Sequence, residues 1–207
     1  HTDFKADLDR LTAFLSASDR VVCLTGAGCS LASGIPTYRT ETGDWQGRNP
    51  INHQDFLESF GTRQRYWARS FMGWPLMNTA QPNPAHRALK ELVALGKIET
   101  LITQNVDSLH EQAGLTDVQH LHGDLRQVTC MVCGASEPRT QLQVRLAKLN
   151  THLELDGEIQ PDGDAEIPSE VIRQFKIAHC LLCRGTLKPN VVFFGGQVDP
   201  ALVQSIY

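Results

Sequence analysis

No stretch of this 207-residue chain approaches 18 uninterrupted apolar residues, the length a helix needs to cross the hydrocarbon of a bilayer, so no membrane-spanning helix is expected. The N-terminal HTDFKADLDR lacks the apolar core of a secretory signal. Positive charge is also short. Nineteen Lys and Arg against 23 Asp and Glu leave a formal charge of −4, which excludes broad binding to nucleic acid or to an anionic membrane surface. No internal repeat and no low-complexity tract interrupts the sequence. These absences leave a soluble chain of ordinary globular composition whose 41 % hydrophobic content is ample for one large domain, or a main domain with a small satellite. A cytoplasmic monomer is expected, or a mitochondrial-matrix one if a presequence has been removed.

Cysteine is present but patterned against disulfides. Four of the six form two C-x-x-C pairs, Cys130 with Cys133 and Cys180 with Cys183, while Cys23 and Cys29 flank a glycine turn. Paired knuckles in a chain of this size read as metal binding in a reducing compartment. Four thiolates close the tetrahedral shell of one Zn²⁺, so the ion's expected role is structural. The 46 residues between the pairs exceed the usual ribbon spacing, and they include helical stretches at 142–149 and 168–175 and a turn at Pro161-Asp162-Gly163-Asp164. An elaborated metal lobe over residues 126–185, inserted in the main domain, is the expectation.

The rest of the chain is organised around residues 21–39, VVCLTGAGCSLASGIPTYR. The apolar run Val21 to Leu24 ends in Thr25 and then Gly26-Ala27-Gly28, as a buried parallel strand hands over to a tight turn whose backbone can approach a phosphate. Leu31 stands where the full dinucleotide fingerprint G-x-G-x-x-G wants its last glycine. A loop with Gly34, Pro36, Tyr38 and Arg39 follows, suited to lying over a ligand. Before this strand, Phe4, Leu8, Leu11 and Leu15 recur at helical spacing and predict an amphipathic packing helix over residues 3–18. Residues 40–83 carry too many Gly and Pro for long regular elements, except across 53–72. Pro84 opens a helix that ends at Gly96, and Ile98 to Thr103 predicts the next strand.

Strand, helix, strand implies an α/β fold with a Rossmann-like parallel sheet covered by helices on both faces, its ligands beyond the carboxyl ends of the strands. Gln104, Asn105 and Asp107 sit at such an end. By position alone, Asp107 reads first as the cap of the short helix that Gly114 stops. His122 follows a short strand over 118–121, and its imidazole can take a proton near neutral pH. His86 and His110 read as helix-surface or core residues.

On these residues the chain resembles the sirtuins. Their signature GAGxSxxSGIPx(F/Y)R is present as Gly26-Ala27-Gly28-Cys29-Ser30 and Ser33-Gly34-Ile35-Pro36-Thr37-Tyr38-Arg39, and TQNVD and LHG recur in family order as Thr103 to Asp107 and Leu121 to Gly123. The resemblance implies an NAD-dependent protein lysine deacylase that yields nicotinamide and O-acyl-ADP-ribose. It implies NAD contacts at Gly26, Ala27, Gly28, Ser30, Pro36, Thr37, Tyr38, Arg39, Gln104, Asn105, Val106 and Asp107, with His122 and Asn105 catalytic. It also implies one structural zinc on Cys130, Cys133, Cys180 and Cys183. The match of Lys188 to Gly195 with KPxVVFFG implies that Val192, Phe194 and Gly195 border an acyl-lysine protein or peptide, held by strand addition. Tyr66 and Arg69, three apart on a predicted helix, could jointly hold a carboxylate. Acid-acyl-preferring sirtuins carry this Y-x-x-R, and neighbouring stretches look most like the class II branch containing mitochondrial sirtuin four, so acidic or bulky acyl groups are expected over acetyl. Many sirtuins have Glu where this chain has His120. The family also continues past the position of Tyr207 with further strands, so residues 1–125 and 186–207 are expected to form an NAD-binding domain incomplete at its C-terminus. Two other functions fit part of the pattern. They are NAD-dependent ADP-ribosyl transfer, and a non-catalytic zinc-ribbon interaction module.

Overall fold

The structure, a computed structural model, describes residues 3–37, 39, 42–44, 50–154 and 167–206; the expected Pro161–Asp164 turn lies outside them. Three short strands, β1 (Val22–Thr25), β2 (Thr100–Thr103) and β3 (Val118–His120), form a parallel sheet in the order β1-β2-β3. The register pairs Thr25 with Thr103 and Thr103 with His120. The three carboxyl ends are therefore level, and every loop that leaves them opens on one edge.

The helix α1 (Phe4–Ala17) forms where periodicity places it, with the Asp3 carboxylate accepting from the Lys5 and Ala6 N–H groups as N-cap. Its apolar face is not buried: Phe4, Leu8, Leu11 and Phe14 are exposed, as are Val22 and Leu24 on β1. Periodicity fixes which face of a helix is apolar and is silent on what covers it.

Glycine and proline in the 53–79 stretch interrupt less than their number suggests. After the short α2 (His53–Glu58), α3 runs 20 residues from Phe60 to Thr79, through Pro75. A proline inside a helix removes the bond to the carbonyl four residues back, here that of Phe71. Gln143 Nε2 donates to that carbonyl at 2.8 Å, and Arg139 donates to the adjacent Ser70 carbonyl at 3.1 Å. Both partners lie on α6 (Arg139–Leu149), so a later element supplies what the proline takes away. Arg139 is fully buried, with its guanidinium 4.8 Å from the Trp74 ring centroid and 5.6 Å from that of Trp67. Burial pulls its pKa down to about 10, against a smaller upward pull from Tyr66.

The second sheet is antiparallel, in the order β5-β4-β6, from β4 (Gly123–Cys130), β5 (Ser136–Pro138) and β6 (Leu187–Val191). Its core joins Val128, Leu142, Leu146, Phe175 and Leu187 to Trp67 and Ala68 of α3, with α7 (Ser169–Gln174) alongside. The lobe thus recruits a helix from well before its own segment. β6, expected on the main sheet's side of the boundary, pairs with β4 instead. Its Pro189 can sit in this ladder because the register shifts between Asp124 and Val128, an irregularity that spares one donor. α4 (Pro84–Ala94), α5 (Leu109–Gln112) and α8 (Pro200–Ile206) complete the described elements.

Candidate active site

The glycine turn follows directly from β1. Gly26 is the extended N-cap of a 3-10 helix over Ala27–Ser33, which ends at Gly34 with φ 82°. The first N–H groups of such a helix lack internal partners and can meet an anion. A side chain at Gly28 would meet no protein atom within 4 Å, so the turn is open on that side.

Loop 104–107 locks onto this turn. Gln104 N–H donates to the Thr25 carbonyl at 2.9 Å. The Asn105 side-chain amide donates to the Gly26 carbonyl at 3.0 Å and to Ser30 Oγ at 3.1 Å. Ser30 Oγ donates in turn to Asp107 Oδ2 at 2.6 Å, and Asp107 Oδ1 accepts the Leu109 N–H at 2.9 Å. Asp107 thus caps α5 with one oxygen, as its position predicts, while the other binds Ser30 of the glycine turn. Ser30, Asn105 and Asp107 are all buried, and a buried polar network with its members paired holds a single geometry. Ser108, with φ 56°, bonds the Asp124 carboxylate at 2.7 Å, tying the loop to β4.

His122 stands beside this network. Its Nδ1 is 3.0 Å from the Gln104 carbonyl oxygen. A carbonyl only accepts, so Nδ1 carries the proton and Nε2 keeps its lone pair. The next residue holds the ring's backbone in place. Gly123 has φ 81°, and a Cβ there would lie 2.0 Å from the Asn190 carbonyl oxygen, so only glycine fits. The His122 carbonyl accepts the Val192 N–H at 2.9 Å, which brings the expected substrate segment against the expected base. Farther along, the Phe194 carbonyl accepts the His53 N–H at 2.8 Å, and Gly195 has φ 74° over the Asn52 side chain.

Tyr66 and Arg69 lie on α3, but in different surroundings from a solvated pair. Tyr66 stacks edge-on against Phe56, Trp67 and Phe193, with ring centroids 5.0 to 5.6 Å apart, next to the 192–195 segment. Arg69 is buried. Pro36, Thr37 and Arg39 follow the turn, where Arg39 Nη1 donates to the Gly43 carbonyl at 2.7 Å; Tyr38 lies outside the described residues. Val106 is half-buried, and its carbonyl accepts the Leu125 N–H at 3.0 Å.

His120 does not leave the site's flank unpaired. Its Nε2 bonds Glu111 Oε1, and both groups are half-buried. The Glu111 hydrogen bond raises the His120 pKa; burial pushes the Glu111 carboxyl up, but the bond to His120, its own backbone N–H and the charges of His120 and His110 together outweigh burial, and the net shift is downward. Behind the glycine turn, His86 and His110 are core residues whose pKa values burial lowers, and burial likewise raises the Cys29 thiol. No local spacing marks that trio, because its members come from three separate elements.

The four lobe cysteines converge as their spacing predicts. Cys130 and Cys183 sulfurs are 3.5 Å apart, and Cys133 and Cys180 sulfurs 3.7 Å. A tetrahedral ion with Zn–S bonds of ~2.3 Å spaces its sulfurs by about 3.8 Å, so the set fits one zinc. Backbone N–H groups of Cys133 and Val132 hold Cys130 down at about 6. The Gly185 N–H lowers Cys183 too, yet the adjoining Cys133 and Cys130 push it up to about 12. Four sulfurs sharing negative charge in this way are what a dication neutralises.

The Sir2 family model matches residues 26–207. The chain belongs to the Sir2 family. It is 46 % identical over 202 residues to an NAD-dependent protein deacetylase of Xanthomonas axonopodis, covering 97 % of this chain and 69 % of that one. It is 45 % identical over 201 residues to the human NAD-dependent protein lipoamidase sirtuin-4, mitochondrial, covering 95 % of this chain and 64 % of that one. This Sir2 chain thus spans about two thirds of the length of such relatives. Among solved structures, a Sir2 complex with a p53 peptide and NAD⁺ superposes with a TM-score of 0.71 at 26 % identity, over 96 % of this chain and 69 % of that one. An ADP-ribose complex of a Sir2 homologue superposes with a TM-score of 0.67 at 34 % identity, over 95 % and 68 %.

Proposed function

We propose that this Sir2 chain carries the catalytic face of an NAD-dependent protein lysine deacylase. The observation that carries the proposal is the polarity of His122: with Nδ1–H fixed on the Gln104 carbonyl, its bare Nε2 is a preset proton acceptor on the edge shared by the glycine turn and loop 104–107. The open turn at Gly26 to Gly28 and the buried Ser30, Asn105 and Asp107 would hold NAD, with Pro36, Thr37, Tyr38, Arg39, Gln104 and Val106 around it. NAD would supply an activated bond between nicotinamide and ribose. His122 Nε2 would take a proton from a ribose hydroxyl, and Asn105, held on Gly26 and Ser30, would orient the reacting groups. The peptide would enter along Val192 to Gly195, where main-chain bonding gives affinity and side chains set selectivity. The peptide complexes among the structural relatives support this placement.

Acidic or bulky acyl groups are the proposed substrates. Tyr66 touches Phe193 in the aromatic wall behind the 192–195 segment, and Arg69 follows it by three residues on the same helix. The lipoamidase name of the human relative supports a bulky acyl group. A reducing compartment, cytoplasm or mitochondrial matrix, suits a four-thiolate zinc site. Mass spectrometry of a lysine-peptide panel, acetyl through succinyl, glutaryl and lipoyl, with full-length protein with and without NAD, tests both levels. NAD-dependent removal is expected, and Arg69→Ala should lower acidic-acyl removal at least tenfold relative to acetyl. No NAD-dependent product would overturn the deacylase reading, and an equal loss on all acyl groups would overturn the role of Arg69.

A further inference from the structure

Behind the glycine turn, apart from the four lobe cysteines, a second set of metal-ligating atoms meets. Cys29 Sγ and one ring nitrogen each of His86 and His110 all lie within 4.8 Å of one another. Cys29 Sγ is 3.9 Å from His86 Nε2, and the two imidazole centroids are 4.8 Å apart. A tetrahedral zinc with Zn–S of ~2.3 Å and Zn–N of ~2.1 Å spaces two nitrogens by about 3.4 Å and a sulfur and a nitrogen by about 3.6 Å. The Cys29–His86 edge already has nearly that length, and no other edge needs to close by more than about 1.4 Å. The three ligands come from the 3-10 helix, the first turn of α4 and α5, so the fold and not a local motif assembles them.

His110 supplies an independent observation. Its Nε2 is 2.9 Å from Thr25 Oγ1, and the Thr25 hydroxyl donates to Thr103 Oγ1 at 2.9 Å. The Thr25 proton being engaged there, His110 Nε2–H is the donor of their contact, and Nδ1 holds a lone pair. That Nδ1 is buried without a hydrogen-bond partner, and a buried acceptor of this kind calls for a ligand. The Nε2–H to hydroxyl bond is the outer contact that a metal-bound histidine normally makes. The Asp107 carboxylate acts on all three residues, with Arg87 the opposing cation at His86.

We propose that Cys29, His86 and His110 form a second metal site, for a borderline-soft divalent ion such as Zn²⁺, with its fourth position open. Binding releases the Cys29 thiol proton. His86 Nδ1 accepts the Asn83 N–H at 3.3 Å, so its own proton sits on Nε2; on binding, that proton moves to Nδ1 and the long Asn83 contact is given up. Asn83 also donates to the Cys29 carbonyl and to Ser33 Oγ, so loading should loosen the cap of α4.

Co²⁺ titration of full-length protein already carrying one zinc per chain tests the site. One further equivalent is expected, with the sulfur-to-metal charge-transfer absorption of a single thiolate. Cys29→Ser, nearly isosteric, and His110→Gln, which spares the fold's Cys29 contacts, should each weaken that binding at least tenfold while elemental analysis still finds one zinc. Hydrogen exchange at residues 83–87 should rise with Co²⁺ in the wild type only. Saturation at the single structural metal, or a second equivalent whose absorption survives Cys29→Ser, would overturn the proposal.

Discussion

Gly123→Ala is the change whose cost can be worked most directly from the geometry. At φ 81° any L side chain pays for a left-handed backbone, about 1–2 kcal/mol. The added Cβ would also stand 2.0 Å from the Asn190 carbonyl oxygen, 3.0 Å from its carbon and 3.2 Å from Val191 Cα. All three are backbone atoms of β6, so no rotamer relieves the clash, and the strand must retreat by about 1.4 Å to reach ordinary contact. Retreat strains the Gly123–Val191 pairing and the Val192 N–H bond to the His122 carbonyl, each worth about 1 kcal/mol. The total, about 3–4 kcal/mol, corresponds for a chain of this size to a melting point lower by about 6–16 °C. Because the glycine follows His122, activity should fall with stability even at temperatures where the variant is folded. Differential scanning calorimetry of zinc-loaded protein, paired with a deacylation rate at 20 °C, reads both. A drop under about 3 °C with the rate unchanged would refute the claim that the β4–β6 junction fixes His122 as the proposed base.

Removing one zinc ligand by Cys133→Ala leaves three sulfurs and should release the ion, because a closed site adds its binding energy to folding; elemental analysis should show well under one zinc per chain, together with a lower melting point. Ser30→Ala deprives Asp107 and Asn105 of a shared partner, and should weaken NAD binding about tenfold, equivalent to about 1.4 kcal/mol, measured by calorimetric titration. The His120–Glu111 pair gives a pH dependence of stability. His120 is raised above 6.5, so its contribution is complete below that pH and fades as pH climbs through the folded value; Glu111 is lowered from 4.5, so its contribution is complete above 4.5 and fades in more acid solution. Thermal melts should therefore show His120→Gln most destabilised, relative to wild type, between about pH 4.5 and 6.5, with the gap narrowing on either side; a gap constant from pH 4 to 9 would contradict the pairing.

The parallel strands and the glycine turn were legible because an apolar run ending in Gly-Ala-Gly has few other meanings in an α/β chain. The zinc ligands were legible because each pair is local, its two cysteines three positions apart. What escaped the sequence was settled by distant partners. Pro75 reads as a stop, yet α3 continues because Gln143 satisfies the Phe71 carbonyl. The apolar positions of α1 were readable, whereas their exposure depends on what packs against them. β6 reads as any buried strand, and only the register with β4 assigns its sheet. His122 was singled out by its motif, but the tautomer that would let its Nε2 act as a base is set by a carbonyl eighteen residues earlier.

The most direct test of the account is a product balance for full-length protein, wild type against His122→Ala, on an acyl-lysine peptide with NAD. The account predicts one nicotinamide and one O-acyl-ADP-ribose for each lysine freed by the wild type, and a rate lower by roughly 10²-fold or more in the variant. Lysine release that persists in His122→Ala at the wild-type rate, with the variant folded and zinc-loaded, would contradict it.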